Sequence, residues 1–390
     1  MRYDSIIVHY HEIALKQNNR QRFEEQLRRN IESTLVGLVR GPVRRKRGSI
    51  EVVLREESPV ETILERLQWV FGIRFFAPAL HVDPDIEPIK ERAWELVKER
   101  PFKSFGVRTQ RTNKAFPMNS MEISGEVGAH IKELSGAAVN LTNPDLWCNI
   151  RLAENRAVVF AERVEGAGGL PAKSGELAAS LLSSGIDSPV AAYRIMRRGE
   201  RLIFIHFHSY PYTSKRSQEN VESLVKILAR HQGDSRLFLV PLLEIQKKIV
   251  ERADPALRVL LYRRAMVRLA ERIAIPLGAA ALVTGENVGQ VASQTLSNIR
   301  AIDDVATLPI LRPVAGDDKE QIINSARRIG TYDISIEPDD DCCSLFVPRR
   351  PETRARLEIV RAEEAQVGLD AELDRALAAV EERLVPFSPS

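Results

Sequence analysis

The sequence predicts a multidomain protein of mixed α+β and α/β class, in which two small α+β units precede a doubly wound parallel sheet. Three observations carry that prediction. The first eighty residues alternate strand-like and helix-like periodicities in a βαββαβ order. The run Gly166-Ala167-Gly168-Gly169-Leu170-Pro171 then interrupts every regular pattern. Beyond it, strand and helix signals simply alternate, which is the pattern of a parallel sheet covered on both faces.

Residues 5–10 read as a short buried strand, and residues 20–36 as a helix with Phe23, Leu27, Ile31 and Leu35 repeating every four positions. Strands on either side of a basic turn, a helix over 59–69 and a strand over 71–80 complete a ferredoxin-like domain expected at 1–80. In the second domain, expected at 81–166, a helix ends near Arg100. Strands at 105–110, 146–152 and 156–164 and a helix at 120–134 follow. A linker is expected at 167–175. The third domain, 176–390, carries strands at 177–182, 202–207, 237–242 and 280–284, each followed by a helix, and ends in a charged helical tail.

At 390 residues and 44% hydrophobic content, two or three domains with real cores are expected. No run of eighteen apolar residues occurs, and Met1-Arg2-Tyr3-Asp4 is not the start of a secretory signal, so a cytoplasmic location away from membranes is expected. Cys148, Cys342 and Cys343 cannot form a disulfide framework and offer no CxxC pair. Cys148, flanked by apolar residues, reads as buried filler. Lys and Arg outnumber Asp and Glu by only 56 to 53, too little to mark a nucleic-acid binder by net charge. The excess lies in the first 170 residues, mostly in Arg40, Arg44, Arg45, Lys46 and Arg47. That run reads equally as a solvated hairpin or as a phosphate-contacting patch.

The strongest motif is Ser183-Ser184-Gly185-Ile186-Asp187-Ser188, between a strand and a helix whose first turn holds Pro189. Such a turn aims successive backbone N–H groups and a helix N-terminus past the end of a parallel strand, where they can hold a phosphate. The Walker pattern is absent, which disfavours a P-loop kinase or GTPase. The loop resembles the SGGxDS signature of PP-loop ATP pyrophosphatases, which cleave ATP between its α and β phosphates and adenylate a substrate oxygen. Ser184 stands where those enzymes use glycine. If the backbone there needs a positive φ, serine is strained and nucleotide turnover altered.

Further motifs follow in order: His206-Phe207-His208-Ser209-Tyr210-Pro211-Tyr212-Thr213, Thr284-Gly285-Glu286, Gly289-Gln290-Val291-Ala292-Ser293-Gln294-Thr295, and Arg312-Pro313 with Asp318-Lys319. Upstream are Glu12-Ile13-Ala14-Leu15-Lys16 and Arg111-Thr112-Asn113-Lys114-Ala115-Phe116-Pro117. Together, over about residues 1–355, they resemble the 4-thiouridine synthase (ThiI) family, with its ferredoxin-like, THUMP and PP-loop domains. The resemblance implies a tRNA sulfurtransferase that adenylates O4 of uridine 8 with ATP and Mg²⁺ and replaces AMP with sulfur. It implies Asp187 and Lys319 as catalytic groups and Cys343 as the sulfur carrier, assisted by Cys342. It implies a nucleotide site of Leu181, Leu182, Ser183, Ser184, Gly185, Asp187, Ser188, His206, Phe207, Arg263, Gly285 and Gln294. Lys16, Arg20, Arg108, Arg111 and Lys114 are the implied RNA contacts. The implied partners are tRNA, a cysteine desulfurase, a second copy of the chain and a ThiS-type sulfur carrier protein. His206 and His208 are not read as a metal pair, since no third ligand accompanies them. A different PP-loop reaction, or a tRNA-binding homologue without ATP turnover, remains open from the sequence.

Overall fold

In the computed structural model, which describes residues 3–46, 48–111, 116–153, 155–338, 346, 348 and 350–387, the chain divides into two units, Met1–Pro171 and Ala172–Ser390. The first begins with β1 (Ser5–His9), α1 (Arg20–Thr34), β2 (Val43–Lys46), β3 (Ser49–Val53), α2 (Val60–Leu67) and β4 (Phe75–Val82). Their strand order, β2-β3-β1-β4, is antiparallel throughout and is the ferredoxin-like order. Helix α1 forms because its apolar positions recur on one face: Leu27 and Ile31 are fully buried, and Leu35 closes the stripe just past its end. Each such side chain contributes roughly 1.5–3 kcal/mol by leaving water.

The strand expected from residue 71 starts only at Phe75. Gly72, at φ +97°, turns the chain there and donates its N–H to the Gly168 carbonyl at 2.8 Å. Phe71 and Ile73 are buried in that turn rather than in the sheet.

The second half of this unit adds α3 (Ile86–Val97), β5 (Ser104–Arg111), α4 (Ser120–Ser135), β6 (Ala138–Val139), β7 (Leu146–Leu152), β8 (Ala157–Phe160) and β9 (Val164–Glu165). Asp85 caps α3, and Asn119 with Glu122 forms a capping box on α4. One nine-stranded sheet results, because β4 pairs with β1 on one side and with β8 and β9 on the other. The single strand expected over 156–164 is thus two short ones, paired to opposite ends of β4. Separate apolar cores lie under the two halves, the second holding Ile89, Leu96, Ile123, Ile131 and Cys148. Burial pushes the Cys148 thiol up to about 12, so it is an inert part of that core.

The second unit runs β10 (Leu177–Leu181), α5 (Asp187–Met196), β11 (Arg201–His208), α6 (Arg216–Gln232), β12 (Ser235–Pro241), α7 (Leu243–Arg252), α8 (Arg258–Ala274), β13 (Ala279–Val283), α9 (Leu296–Asp303) and β14 (Ile310–Leu311). It closes with α10 (Lys319–Ile329), α11 (Tyr332–Ser335), α12 (Leu357–Val367), α13 (Asp370–Ala378) and β15 (Glu381–Val385). The sheet order is β14-β13-β10-β11-β12-β15, parallel except for β15. The order in which strands are added therefore reverses at β10: β11 and β12 build outward on one side, β13 and β14 on the other. This is the switch point at which doubly wound sheets open a crevice.

The tail is not wholly helical, as its charge pattern suggests. Glu381-Glu382-Arg383-Leu384-Val385 is an edge strand, held to β12 by its ladder and by Arg236–Glu382 at 2.6 Å, and to α6 by Arg383–Glu222 at 3.0 Å. Among the described residues, no helix is long and apolar enough to cross a membrane.

Candidate functional site

A cavity of about 530 Å³ opens at the carboxyl ends of β10, β11 and β13. Leu181, Leu182 and Ser183 reach it from β10, His206 and Phe207 from β11, and Thr284, Gly285 and Glu286 from β13. Of the twelve residues expected to hold a nucleotide, eleven line it; Ser184 lies buried behind the loop.

The loop is shaped by its own hydroxyls. Ser188 Oγ accepts the Ser183 N–H at 2.9 Å and lies 3.1 Å from the Ser183 carbonyl, to which it donates. That closes the turn at the start of α5 and leaves the loop facing the cavity. Gly285 is required beside it, because a Cβ there would stand 2.6 Å from the backbone of Ser188. Ser184 does not have a left-handed φ; outside glycine, only Gln17, Lys173 and Phe346 do among the described residues. The strain considered for serine at this position is therefore absent.

Asp187, in the first turn of α5, carries two partners. Its Oδ1 accepts from Lys319 Nζ at 2.6 Å, and its Oδ2 from Gln290 Nε2 at 3.1 Å. Lys319 opens α10, whose start is fixed by the Asp318 N–H donating to Gln321 Oε1 at 3.1 Å. Tertiary packing thus joins two residues 132 positions apart. Gln290 is not among the expected site residues, because an amide in a loop gives no sequence signal for the carboxylate it meets.

The opposite wall is an ion-pair network. Glu286, almost fully buried, accepts from Arg263 at 3.0 Å, from Arg312 at 2.8 Å and from Thr284 Oγ1 at 3.1 Å. Arg312 also binds Asp303 at 3.0 Å. Burial works against the Arg312 guanidinium, but its pairs with Asp303 and Glu286 hold it above its ordinary value. His206 donates from Nδ1 to the Leu182 carbonyl at 2.9 Å, which fixes its ring at the joint between the first two strands. Val259 and Met266 of α8 also line the cavity; their helical spacing reads as ordinary core, so sequence reasoning passed over them.

In the first unit, Lys16 lies 5.2 Å from the Phe23 ring, and Arg20 is held by Glu24 at 2.8 Å and by the Tyr10 hydroxyl at 3.1 Å. An open cavity of about 370 Å³ is lined by Arg20, Glu24, Arg45, Lys46 and Gly48, bringing the basic hairpin to Arg20. Arg108 stacks 3.4 Å from the Trp147 ring. Arg111 instead donates to the Phe116 and Met118 carbonyls at 3.1 and 3.0 Å, bracing its own loop. Lys114, Cys342 and Cys343 lie outside the described residues.

A second cluster, absent from the sequence reading, gathers Arg74, Arg151 and Arg163 near His9, with Arg108 acting on Arg163. Burial lowers Arg151, with Arg163 adding to it; burial lowers Arg163 as well, with Arg108 and Arg74 next. Burial, then Arg151, Arg163 and Arg74, hold His9 down at about 3. Glu165 acts the other way on Arg163.

Comparison with known proteins agrees along the whole chain. Residues 5–77 match the ThiI ferredoxin-like domain, 84–162 the THUMP domain and 173–369 the thiamine biosynthesis protein (ThiI) family. A probable tRNA sulfurtransferase of Caldanaerobacter subterraneus subsp. tengcongensis is 43% identical over 93% of this chain and 95% of its own. One from Brevibacillus brevis is 40% identical over 100% and 98%. A 4-thiouridine synthetase solved with RNA and ATP superposes with a TM-score of 0.90 at 36% identity, covering 98% of this chain and 100% of that one. With a switch-point cavity, a serine-lined loop and full-length relatives in agreement, this chain belongs to the ThiI family of tRNA sulfurtransferases.

Proposed function

We propose that this chain is an ATP-dependent tRNA sulfurtransferase that forms 4-thiouridine at position 8. The observation that carries the reading is the loop before α5 opening on the switch-point cavity, with Asp187 and Lys319 paired at its mouth. The pyrophosphate of ATP lies on the loop N–H groups and the start of α5, and the adenine against the ends of β10 and β11. Arg263, oriented by Glu286, contacts the nucleotide from α8. Lys319 leaves Asp187 to neutralise charge on the transferred phosphoryl group.

Of the two acids lining the cavity, Glu286 is held between two guanidinium groups, which leaves Asp187 as the carboxylate suited to a Mg²⁺ carried mainly by phosphate oxygens. That ion, when bound, neutralises the pyrophosphate leaving group.

Adenylation turns the uracil O4 into a good leaving group. The outer sulfur of a persulfide on Cys343, loaded by a cysteine desulfurase, then displaces AMP from C4, and the Cys342 thiol attacks Cys343 Sγ to release the 4-thiouridine, leaving a Cys342–Cys343 disulfide for an external thiol to reduce. Among the described residues nearest to that pair in sequence, Glu337 binds Arg216 at 2.7 Å, and the Phe346 ring lies 6.2 Å from that of Tyr212. The same persulfide serves a ThiS-type sulfur carrier of thiamine synthesis, and a homodimer is the expected assembly. In the first unit, Lys16, Arg20 and Arg108 contact tRNA phosphates, joined by the Arg74–Arg151–Arg163 cluster.

Incubation with ATP and unmodified tRNA is expected to release AMP and pyrophosphate only when both are present. If tRNA binds without that release, the reading as an enzyme is wrong. Replacing Cys342 and Cys343 by serine is expected to stop thiolation while AMP release continues; full 4-thiouridine formation by that variant removes the sulfur-carrier role.

A further inference from the structure

The loop after β11 combines a rigid base with exposed aromatic rings. Ser209 is fully buried, its hydroxyl donating to Gln246 Oε1 at 2.5 Å. Its carbonyl accepts the N–H groups of both Tyr212, at 2.8 Å, and Thr213, at 3.1 Å. The backbone is pinned from beneath, yet Tyr210 is 47% and Tyr212 57% exposed. Two exposed tyrosines on a well-anchored loop are not explained by packing.

Each ring has a cation beside it. Lys215 Nζ lies 5.2 Å from the Tyr210 ring centre, and Lys247 Nζ, from α7, lies 5.0 Å from that of Tyr212. Both distances fall within cation–π range. The loop follows directly from His206 and Phe207, which line the nucleotide cavity.

From these features we infer that Tyr210 and Tyr212, with Lys215 and Lys247, form a stacking platform for an unpaired base of the RNA substrate. This rests on the tRNA reading above. Flat π faces suit a base, and the two ammonium groups, 5.2 and 5.0 Å from the ring centres, suit the flanking phosphates. A base within a duplex hides its faces, so the occupant is a nucleotide out of the stack, as chemistry on a base edge requires. A protein partner would call for a wholly apolar patch around the rings; here the Phe346 ring lies 6.2 Å from that of Tyr212, but each tyrosine ring also carries a lysine ammonium.

The test uses the full-length protein and an unmodified tRNA transcript at fixed salt. Tyr210→Ala with Tyr212→Ala is expected to weaken binding about tenfold or more, since base–aromatic stacking is lost. The paired Tyr→Phe variant, which keeps the rings, is expected to bind as the wild type does. Unchanged thermal unfolding and ATP affinity confirm that the alanine variant is folded. Equal tRNA affinity in the alanine variant overturns the platform, as does a loss of the same size in the phenylalanine variant, which would assign the contact to the hydroxyls. If the alanine variant binds tRNA normally but no longer accepts sulfur from a cysteine desulfurase, the loop is a protein-docking site and the inference is also wrong. Failure of the wild type to bind tRNA is a different result: it overturns the tRNA reading itself, and this inference with it.

Discussion

The two units handle charge in opposite ways. Around the cavity of the second, each cation at the site is matched: Arg263 and Arg312 by Glu286, Arg312 again by Asp303, and Lys319 by Asp187. In the first, burial above all, and then repulsion within the group Arg74, Arg108, Arg151 and Arg163, depresses Arg151, Arg163 and His9. Paired charges fix geometry before the substrate arrives, which suits chemistry. Crowded like charges store repulsion that an anion relieves, which suits salt-sensitive binding of a polyanion. The contrast assigns preorganisation to one unit and electrostatic capture to the other.

The largest expected effect breaks the paired side. Asp187→Asn should lower tRNA-dependent AMP release about a hundredfold or more while tRNA affinity stays within about twofold. Equal activity in that variant contradicts the site assignment; a matching loss of tRNA binding erases the division of labour.

Glu286→Gln tests how much of that unit's stability depends on matched charge. It leaves two guanidinium groups facing a neutral amide in a buried place, at a cost of about 3 kcal/mol in denaturant unfolding. A loss under about 1 kcal/mol would mean the network is solvated.

Acid provides a probe of the first unit. His9 titrates near 3 when folded and near 6.5 when unfolded, so over that window the unfolded chain binds more protons. Stability should therefore fall as pH drops from about 6.5 towards 3, by up to about 1.4 kcal/mol per pH unit for this group. His208, held at about 4 by burial and then by His206, acts with the same sign in the second unit. His9→Gln should flatten the acid limb; an unchanged slope in urea unfolding between pH 7 and 5 would show that His9 does not sense the arginine cluster.

Arg163→Gln sharpens the capture side. The slope of log affinity against log salt for tRNA should fall by about one. An unchanged slope would place the cluster outside the RNA footprint. The smallest effect belongs to Ser184→Gly: because Ser184 has no left-handed φ, glycine should alter AMP release by less than about twofold and lower stability by about 0.5–1 kcal/mol through chain entropy. A large gain in turnover would mean that the serine Cβ does obstruct the phosphates.

Much of the second unit was readable because local chemistry and fold agree there. Strand–helix alternation and the Ser183-to-Ser188 turn each report on their own few residues, and the structure puts the turn at the cavity. The edge strand β15 was not readable: its Glu-Glu-Arg sequence looks like a solvated helix, and only the open edge of β12, with Arg236 on it and Glu222 on the neighbouring α6, makes it a strand. Gln290, Glu286 and the arginine cluster escaped for the same reason. Their partners lie tens of residues away, so no local period records them.

By itself the sequence determined the class of each unit, the position of the phosphate loop and the family, since periodicity, turn chemistry and motif order are properties of neighbouring residues. Only the tertiary structure decided that β4 joins two small domains in one sheet, that Lys319 meets Asp187, and that three arginines crowd around His9. Those are long-range pairings. They are settled by which surfaces are buried together and which charges must then share a low-dielectric space, and a linear pattern carries neither.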